Sequence, residues 1–175
     1  MSVFIMNFQS PKELDEFKWY YENFGCTNID ILINDSIDEK KTIWSVPSYS
    51  EMGDIIIFAC ASTAKDHMGH VCAQAKAAGD KKIVALAEEE RKKYRYYSKK
   101  IIAIGKLGEM PWPDLEFGER AYSAKIINLK ILDKPIDLSD FKGDIVLSTF
   151  NSFTKLNSWQ WELLKKKIEK GEEIE

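Results

Sequence analysis

The apolar positions of the chain fall into short runs separated by polar turns, a pattern typical of an α+β protein. The strongest run, residues 54–61, is continuous and follows a Gly-Asp turn, so it predicts a strand that is buried on both faces. Shorter runs predict further strands at 2–8, 29–33, 42–46, 101–107, 122–132 and 145–148.

Helical spacing of apolar residues appears in four segments. The first begins at Ser10-Pro11, runs over 11–24 and ends at Gly25. Two segments, 64–78 and 82–97, are separated by Gly79-Asp80 and predict a helical pair, and 158–170 predicts a last helix. We therefore expect one domain over 1–175, with a helical insertion at about 62–99. Six or seven short strands with helices at the ends favour a small mixed β-barrel over a doubly wound sheet.

The composition indicates the cellular compartment and argues against one class of nucleic-acid-binding protein. A hydrophobic content of 45% is enough for a core, and the net charge of -3 argues against a protein that coats nucleic acid without specificity. The three cysteines are an odd number without CxxC spacing, which favours a reducing cytoplasm. We expect neither a signal peptide nor a membrane partner, because no basic leader and no run of roughly 18–20 apolar residues is present.

Motifs of known catalytic chemistry are missing from the sequence: it has no P-loop, GxSxG or HExxH pattern. We therefore expect a binding protein without enzymatic activity or cofactor. His67 and His70 share one predicted helix face, but a closed zinc site needs two more ligands, and Cys72 points elsewhere. No metal is expected.

Several local patterns occur in an order that resembles the EVE and YTH families of the PUA-like superfamily. Ile43-Trp44-Ser45 before Pro47 is similar to the VWS(T) segment of YTH domains. The remaining similar segments are Gly53-Asp54 with IIIFACA, IIAIGKL at 101–107, Trp112 in the following loop, KPIDL at 134–138 and SWQW at 158–161. The resemblance implies a PUA-like mixed β-barrel with flanking helices and an inserted helical pair. It also implies a nucleic-acid-binding module.

Such modules hold a modified, flipped base in an aromatic cage, and the resemblance implies that Trp44 and Trp112 form this cage. Indole faces replace the stacking neighbours of a flipped base at about 1–3 kcal/mol. Ser45 is the expected reader of the base edge, and Tyr49 is a further wall candidate. The alternative for each tryptophan is an ordinary core residue, and for Ser45 a hydroxyl bonded to backbone.

A basic segment with interleaved tyrosines is the candidate phosphate contact. Its residues are Arg91, Lys92, Lys93 and Arg95. The alternative is a solvated helix face balanced by the preceding run of three glutamates.

The function we expect is recognition of a methylated base in nucleic acid, in DNA rather than RNA. The chain would be the specificity part of a restriction system, acting with a nuclease subunit or a fused effector. One alternative is a protein-interaction or regulatory PUA-like domain that binds no base. Another is an ASCH-type hydrolase of a modified nucleoside, which needs a Lys or Glu at the floor of its pocket.

Overall fold

The computed structural model describes residues 1–34, 43–118, 120–147 and 152–173 and has an α+β fold with one curled, mixed sheet. The strands are β1 (Val3–Phe8), β2 (Ile43–Ser45), β3 (Ile55–Cys60), β4 (Lys100–Leu107), β5 (Trp112–Pro113), β6 (Tyr122–Asp137) and β7 (Phe153–Leu156). The helices are α1 (Leu14–Phe24), α2 (Asn28–Asn34), α3 (Ala64–Ala77), α4 (Lys81–Tyr96) and α5 (Ser158–Glu173), with 3₁₀ turns at Leu115–Phe117 and Leu138–Phe141.

The strands follow the order β2-β6-β4-β3-β1-β7, and β5 pairs with β6. The pair β1–β3 is parallel and the other pairs are antiparallel. Strands β3 and β4 are neighbours, and the chain between them forms the helices α3 and α4. The predictions of an α+β fold, of two central strands in one sheet and of a helical pair between them are therefore confirmed.

Successive side chains of the central strands point to opposite faces of the sheet, and this divides the core into two layers. Phe4, Met6 and Phe8 of β1 point to the side on which α1, α2, α3 and α4 pack. Val3 and Ile5 point to the opposite side, where Leu164 of α5 and the second 3₁₀ turn cover the sheet. Both faces of β3 are consequently buried, as its uninterrupted apolar sequence predicts.

The sheet curls into a half-barrel around the first of these layers. Trp44 lies on the edge strand β2, yet its ring contacts Phe8 of β1 and Phe58 of β3 from the other half of the sheet. Tyr49 after β2 and Phe153 of β7 also line one cleft, so the two edges of the sheet approach each other. This curl creates the concave space in which a ligand can be enclosed.

The segment 29–33 is helical, so the prediction of a strand there is wrong. Five apolar residues are too few for periodicity to separate a buried helical turn from a strand. The amides of Asp30 and Ile31 bond to the Thr27 carbonyl, and the Ile29 amide donates to the buried Tyr94 hydroxyl at 3.3 Å. Contacts with α4 therefore decide the local conformation.

The C-terminal strand also differs from its prediction. Residues 145–147 are irregular although Ile145 is buried, and Ser148 lies outside the described residues. The last strand is β7, which pairs antiparallel with β1. Strand β6 continues through Pro135 to Asp137, beyond its predicted end at residue 132. None of the helices in the described part of the chain is both long and apolar enough to cross a bilayer.

Candidate functional site

A cavity of about 230 Å³ opens inside the curl, between β1 and β2 on one side and α1 and α2 on the other. This aromatic cavity is smaller than the roughly 300–1,000 Å³ of a pocket for a drug-sized ligand. Its lining residues are Met6, Phe8, Gln9, Tyr20, Phe24, Asn28, Ile31, Ile43, Trp44, Ser45, Phe117 and Ser123. Five of these side chains are aromatic and none is charged, so the cavity suits a small, flat and neutral group.

Trp44 forms the wall on the sheet side. Phe58 and Phe8 meet its indole at steep angles of 81° and 74°, with ring centroids 5.3 and 6.1 Å away. Its ring nitrogen donates to the sulfur of Met6 at 3.3 Å. Edge-to-face packing and this hydrogen bond fix the orientation of the indole. A ligand therefore meets a preformed aromatic surface.

The opposite wall comes from α1 and the first 3₁₀ turn. Tyr20 and Phe24 are four residues apart, which places both on one face of the helix, and their ring centroids are 6.1 Å apart. Gly25 ends α1 directly after Phe24 in a left-handed conformation, with φ of 71°. Phe117 lines the same cavity, and Trp19 packs edge-on against both phenylalanines behind this wall.

Tyr20 keeps its proton at neutral pH. Burial, followed by the negative charge of Glu16, raises the pKa of Tyr20 to about 12. Its hydroxyl is therefore a neutral group that can both donate and accept a hydrogen bond.

Four polar side chains supply hydrogen-bonding groups to the aromatic cavity: Gln9, Asn28, Ser45 and Ser123. Asn28 is held at both ends of its amide, because Tyr94 donates to its Oδ1 and its Nδ2 donates to the Gln9 carbonyl. Ser123 is already committed, since it donates to Asp114 at 2.9 Å.

The Tyr94 hydroxyl organises α2, the helix that carries Asn28. The ring is fully buried, and its hydroxyl oxygen accepts from the Thr27 hydroxyl at 2.8 Å and from the Ile29 amide at 3.3 Å. The same hydroxyl donates to Asn28. The start of α2 is thus fixed to α4 through one side chain, and this contact positions Asn28 for the cavity.

The structure does not bring Trp112 to the aromatic cavity, which corrects the expected pair of tryptophans. Trp112 is opposite Ser123 in β6, whereas Trp44 is opposite its neighbour Ala124. Trp112 is not among the residues that line the aromatic cavity. Trp112 is 37% exposed and donates to Glu109. The walls that face Trp44 are Tyr20, Phe24 and Phe117 instead.

The structure places the two other residues expected near the base in different clefts. Ser45 lines the aromatic cavity. Tyr49 does not, because the chain turns after Pro47 and carries it to the cleft between β2 and β7. There it is 67% exposed, and its ring packs edge-on against Phe4. Tyr49 is therefore not a wall of this cavity.

The four basic residues of α4 that were expected to contact phosphate lie in different surroundings. Successive helical residues point about 100° apart, and here their partners differ. Lys93 pairs with the buried Asp30 and Glu90, and Arg91 lies against Gly69 of α3. Lys92 pairs with Glu89 in solvent, and Arg95 is exposed.

Sequence reasoning missed Tyr20, Phe24, Phe117, Gln9 and Asn28. The available signal was the density of aromatic side chains in 19–24, which is equally typical of an apolar helix face that packs on a core. His67 and His70 both lie on α3, and the described residues contain no cluster of three or more metal-ligating side chains.

Fold and site together define an α+β protein with an uncharged, aromatic binding cavity. No family model matches the chain, and no curated protein matches it significantly. Among solved structures it is similar to the NMR structure of Rpa0253 from Rhodopseudomonas palustris, at 12% identity and a TM-score of 0.45. That similarity covers 100% of this chain and 96% of the other. A TM-score this low decides neither fold nor function.

Proposed function

We propose that this protein binds a single methylated nucleobase, turned out of a nucleic-acid strand, in the aromatic cavity. The observation that carries the proposal is a neutral cavity with aromatic walls on two sides and the anchored amide of Asn28 between them. Extruding a base costs a few kcal/mol, and stacking between two walls together with edge contacts can return it. A methyl group adds apolar contact with the rings.

The proposal includes the PUA-like fold and the EVE or YTH kind of domain. It is supported by the positions of the similar segments in the sheet. Ile43–Ser45 forms β2, Gly53-Asp54 precedes β3, and the IIAIGKL segment lies in β4. Their order along the chain is that of the families, and their strands surround one concave space.

Backbone contacts should be few, because the chain is acidic overall and Lys92 and Lys93 of α4 pair with acidic side chains of the protein itself. The proposed module therefore gains affinity mostly from the base itself, with DNA favoured over RNA as the partner. A nuclease subunit or fused effector would then supply the action that follows recognition.

Binding to a panel of labelled oligonucleotides tests this function. The strands differ only in a central adenine, cytosine, N6-methyladenine, 5-methylcytosine or N4-methylcytosine, in DNA and in RNA. We expect one methylated strand to bind at least about tenfold more tightly than its plain counterpart, a difference of ~1.4 kcal/mol. Affinity should depend weakly on salt, since each phosphate contact adds about one unit of slope.

Two results of this panel would count against the proposal. Equal affinity for plain and methylated strands would show that the protein does not recognise the methylated base. Absence of binding to every strand favours the protein-interaction alternative. The free methylated nucleoside serves as the control for the hydrolase alternative, because its conversion to product would show catalysis rather than binding.

A further inference from the structure

The helices α1, α2 and α4 meet at two buried carboxyl groups that the aromatic cavity does not use. Asp30 of α2 is 5% exposed and Glu90 of α4 is 2% exposed. Acidic side chains are almost never buried to this degree unless they are paired. The charge state of this pair therefore depends on the groups that surround it.

The donors around the pair are too few for two ionised carboxylates. Tyr21 of α1 donates to Oε1 of Glu90 at 3.1 Å. Nζ of Lys93 lies 2.6 Å from Oδ1 of Asp30 and 3.6 Å from Oε2 of Glu90. Oδ2 of Asp30 and Oε2 of Glu90 are buried and accept no hydrogen bond. One ammonium group then faces two negative charges, which leaves one buried charge without compensation.

A single proton would compensate the second negative charge. It would also convert one carboxylate into a carboxylic acid that donates a hydrogen bond to the other. We propose that Asp30 and Glu90 share one proton, and that this proton fastens α2 to α4 until alkaline pH removes it. The four side chains Tyr21, Asp30, Glu90 and Lys93 form this carboxyl latch. The latch does not depend on what the aromatic cavity binds.

The electrostatics of the pair agree with this geometry. Burial, then the hydrogen bond with Asp30 and the charge of Asp30, raise the pKa of Glu90 to about 8. Lys93 and the hydrogen bond from Tyr21 act in the opposite direction. Five other titratable groups interact with Glu90 or with Tyr21 beside it. They are Tyr21, Cys26, Asp30, Lys93 and Tyr94.

The neighbours of Glu90 keep their own charge states while it titrates. Burial and the charge of Glu90 raise the pKa of Tyr21 above its ordinary value. Burial lowers the pKa of Lys93, but the contacts with Asp30 and Glu90 outweigh burial and raise it. Tyr21 thus remains neutral and Lys93 positive while Glu90 loses its proton.

The pH dependence follows from the difference between the folded and unfolded states. An unfolded Glu90 loses its proton near its ordinary pKa of 4.5, and the folded one near 8. The stability from the shared proton is therefore fully present below 4.5, declines as the pH rises, and is lost above about 8. Since α2 also carries Asn28 and Ile31 into the aromatic cavity, its release changes that wall.

Two measurements on the full-length protein test the latch. Carbon-13 NMR of the glutamate carboxyl groups should show one signal that titrates near pH 8 and is absent from Glu90→Gln. Amide hydrogen exchange of α2, corrected for the intrinsic rate, should lose protection by about tenfold per pH unit below that point. Gln is neutral, accepts from Tyr21 and donates to Asp30, so Glu90→Gln should keep α2 protected at high pH.

Glu89→Gln is the matched control, because Glu89 precedes Glu90 on α4 but is exposed and pairs with Lys92 in solvent. It should behave as the wild type in both measurements. The proposal is overturned if Glu90 titrates together with the other carboxyl groups, or if α2 protection is independent of pH in the wild type. Both outcomes are measured on the wild-type protein, so they test the proposal even if Glu90→Gln does not fold.

Discussion

Trp44→Ala should weaken binding of the methylated base by roughly tenfold or more, because stacking on one aromatic side chain is worth about 1–3 kcal/mol per base. Trp44 and Phe8 are the aromatic residues of the sheet-side wall of the aromatic cavity. Binding is measured by fluorescence anisotropy with the plain and the methylated strand. Discrimination between the two strands should fall along with affinity, since the methyl group loses its aromatic contact.

Trp112→Ala is the control for this prediction, because Trp112 is exposed and does not line the aromatic cavity. It should leave affinity and discrimination unchanged. Trp44 also packs on Phe58, so circular dichroism must show that the alanine variant is folded, and Trp44→Phe should retain part of the binding. Loss of binding in Trp112→Ala but not in Trp44→Ala would reverse the assignment of the walls.

Tyr94→Phe should destabilise the fold by about 2–4 kcal/mol, since each buried group left without a partner costs about 1–3 kcal/mol. The substitution keeps the ring but removes the partner of Thr27, Asn28 and the Ile29 amide. The free energy of unfolding is measured by urea denaturation at constant pH. Base binding should weaken in addition, because Asn28 loses the bond that orients its amide.

Tyr96→Phe provides the comparison, because Tyr96 is in the last turn of the same helix and is 59% exposed. Its loss of a hydroxyl should change the free energy of unfolding by less than about 0.5 kcal/mol. If Tyr94→Phe is equally neutral, the Tyr94 hydroxyl is not what holds the start of α2.

Elements with strong local signals were predictable from the sequence. β3 has an uninterrupted apolar run behind a Gly-Asp turn, and the helices α3 and α4 are divided at Gly79-Asp80, where Asp80 accepts from the Ile83 amide as a cap. In these segments the local preference and the tertiary structure agree. Their bounds consequently differ from prediction by only a residue or two.

Elements fixed by distant partners were not predictable. The IDILI sequence at 29–33 suits a strand as well as a helix, and the buried Tyr94 and Lys93, more than sixty residues away, hold it as α2. β7 has only four residues, so alternation gives little signal, and its pairing with β1 creates the strand.

Only one wall of the aromatic cavity was predictable from the sequence. A short strand ending in Trp44-Ser45 identified the sheet side. The position of Trp112 depends on the pairing of β5 with β6, and no local pattern encodes that pairing. Tyr20 and Phe24 have the spacing of any apolar helix face, and only the curl of the sheet turns that face into a wall.

The most direct test of base binding in the aromatic cavity is an NMR experiment on the complex with the tightest-binding methylated strand. Intermolecular nuclear Overhauser effects from the methyl group of the base locate it among the protein side chains. We predict contacts to the Trp44 indole and to the rings of Phe24 and Tyr20, with none to Trp112. Contacts to Trp112, or a methyl group without any contact to Trp44, would contradict the proposed site.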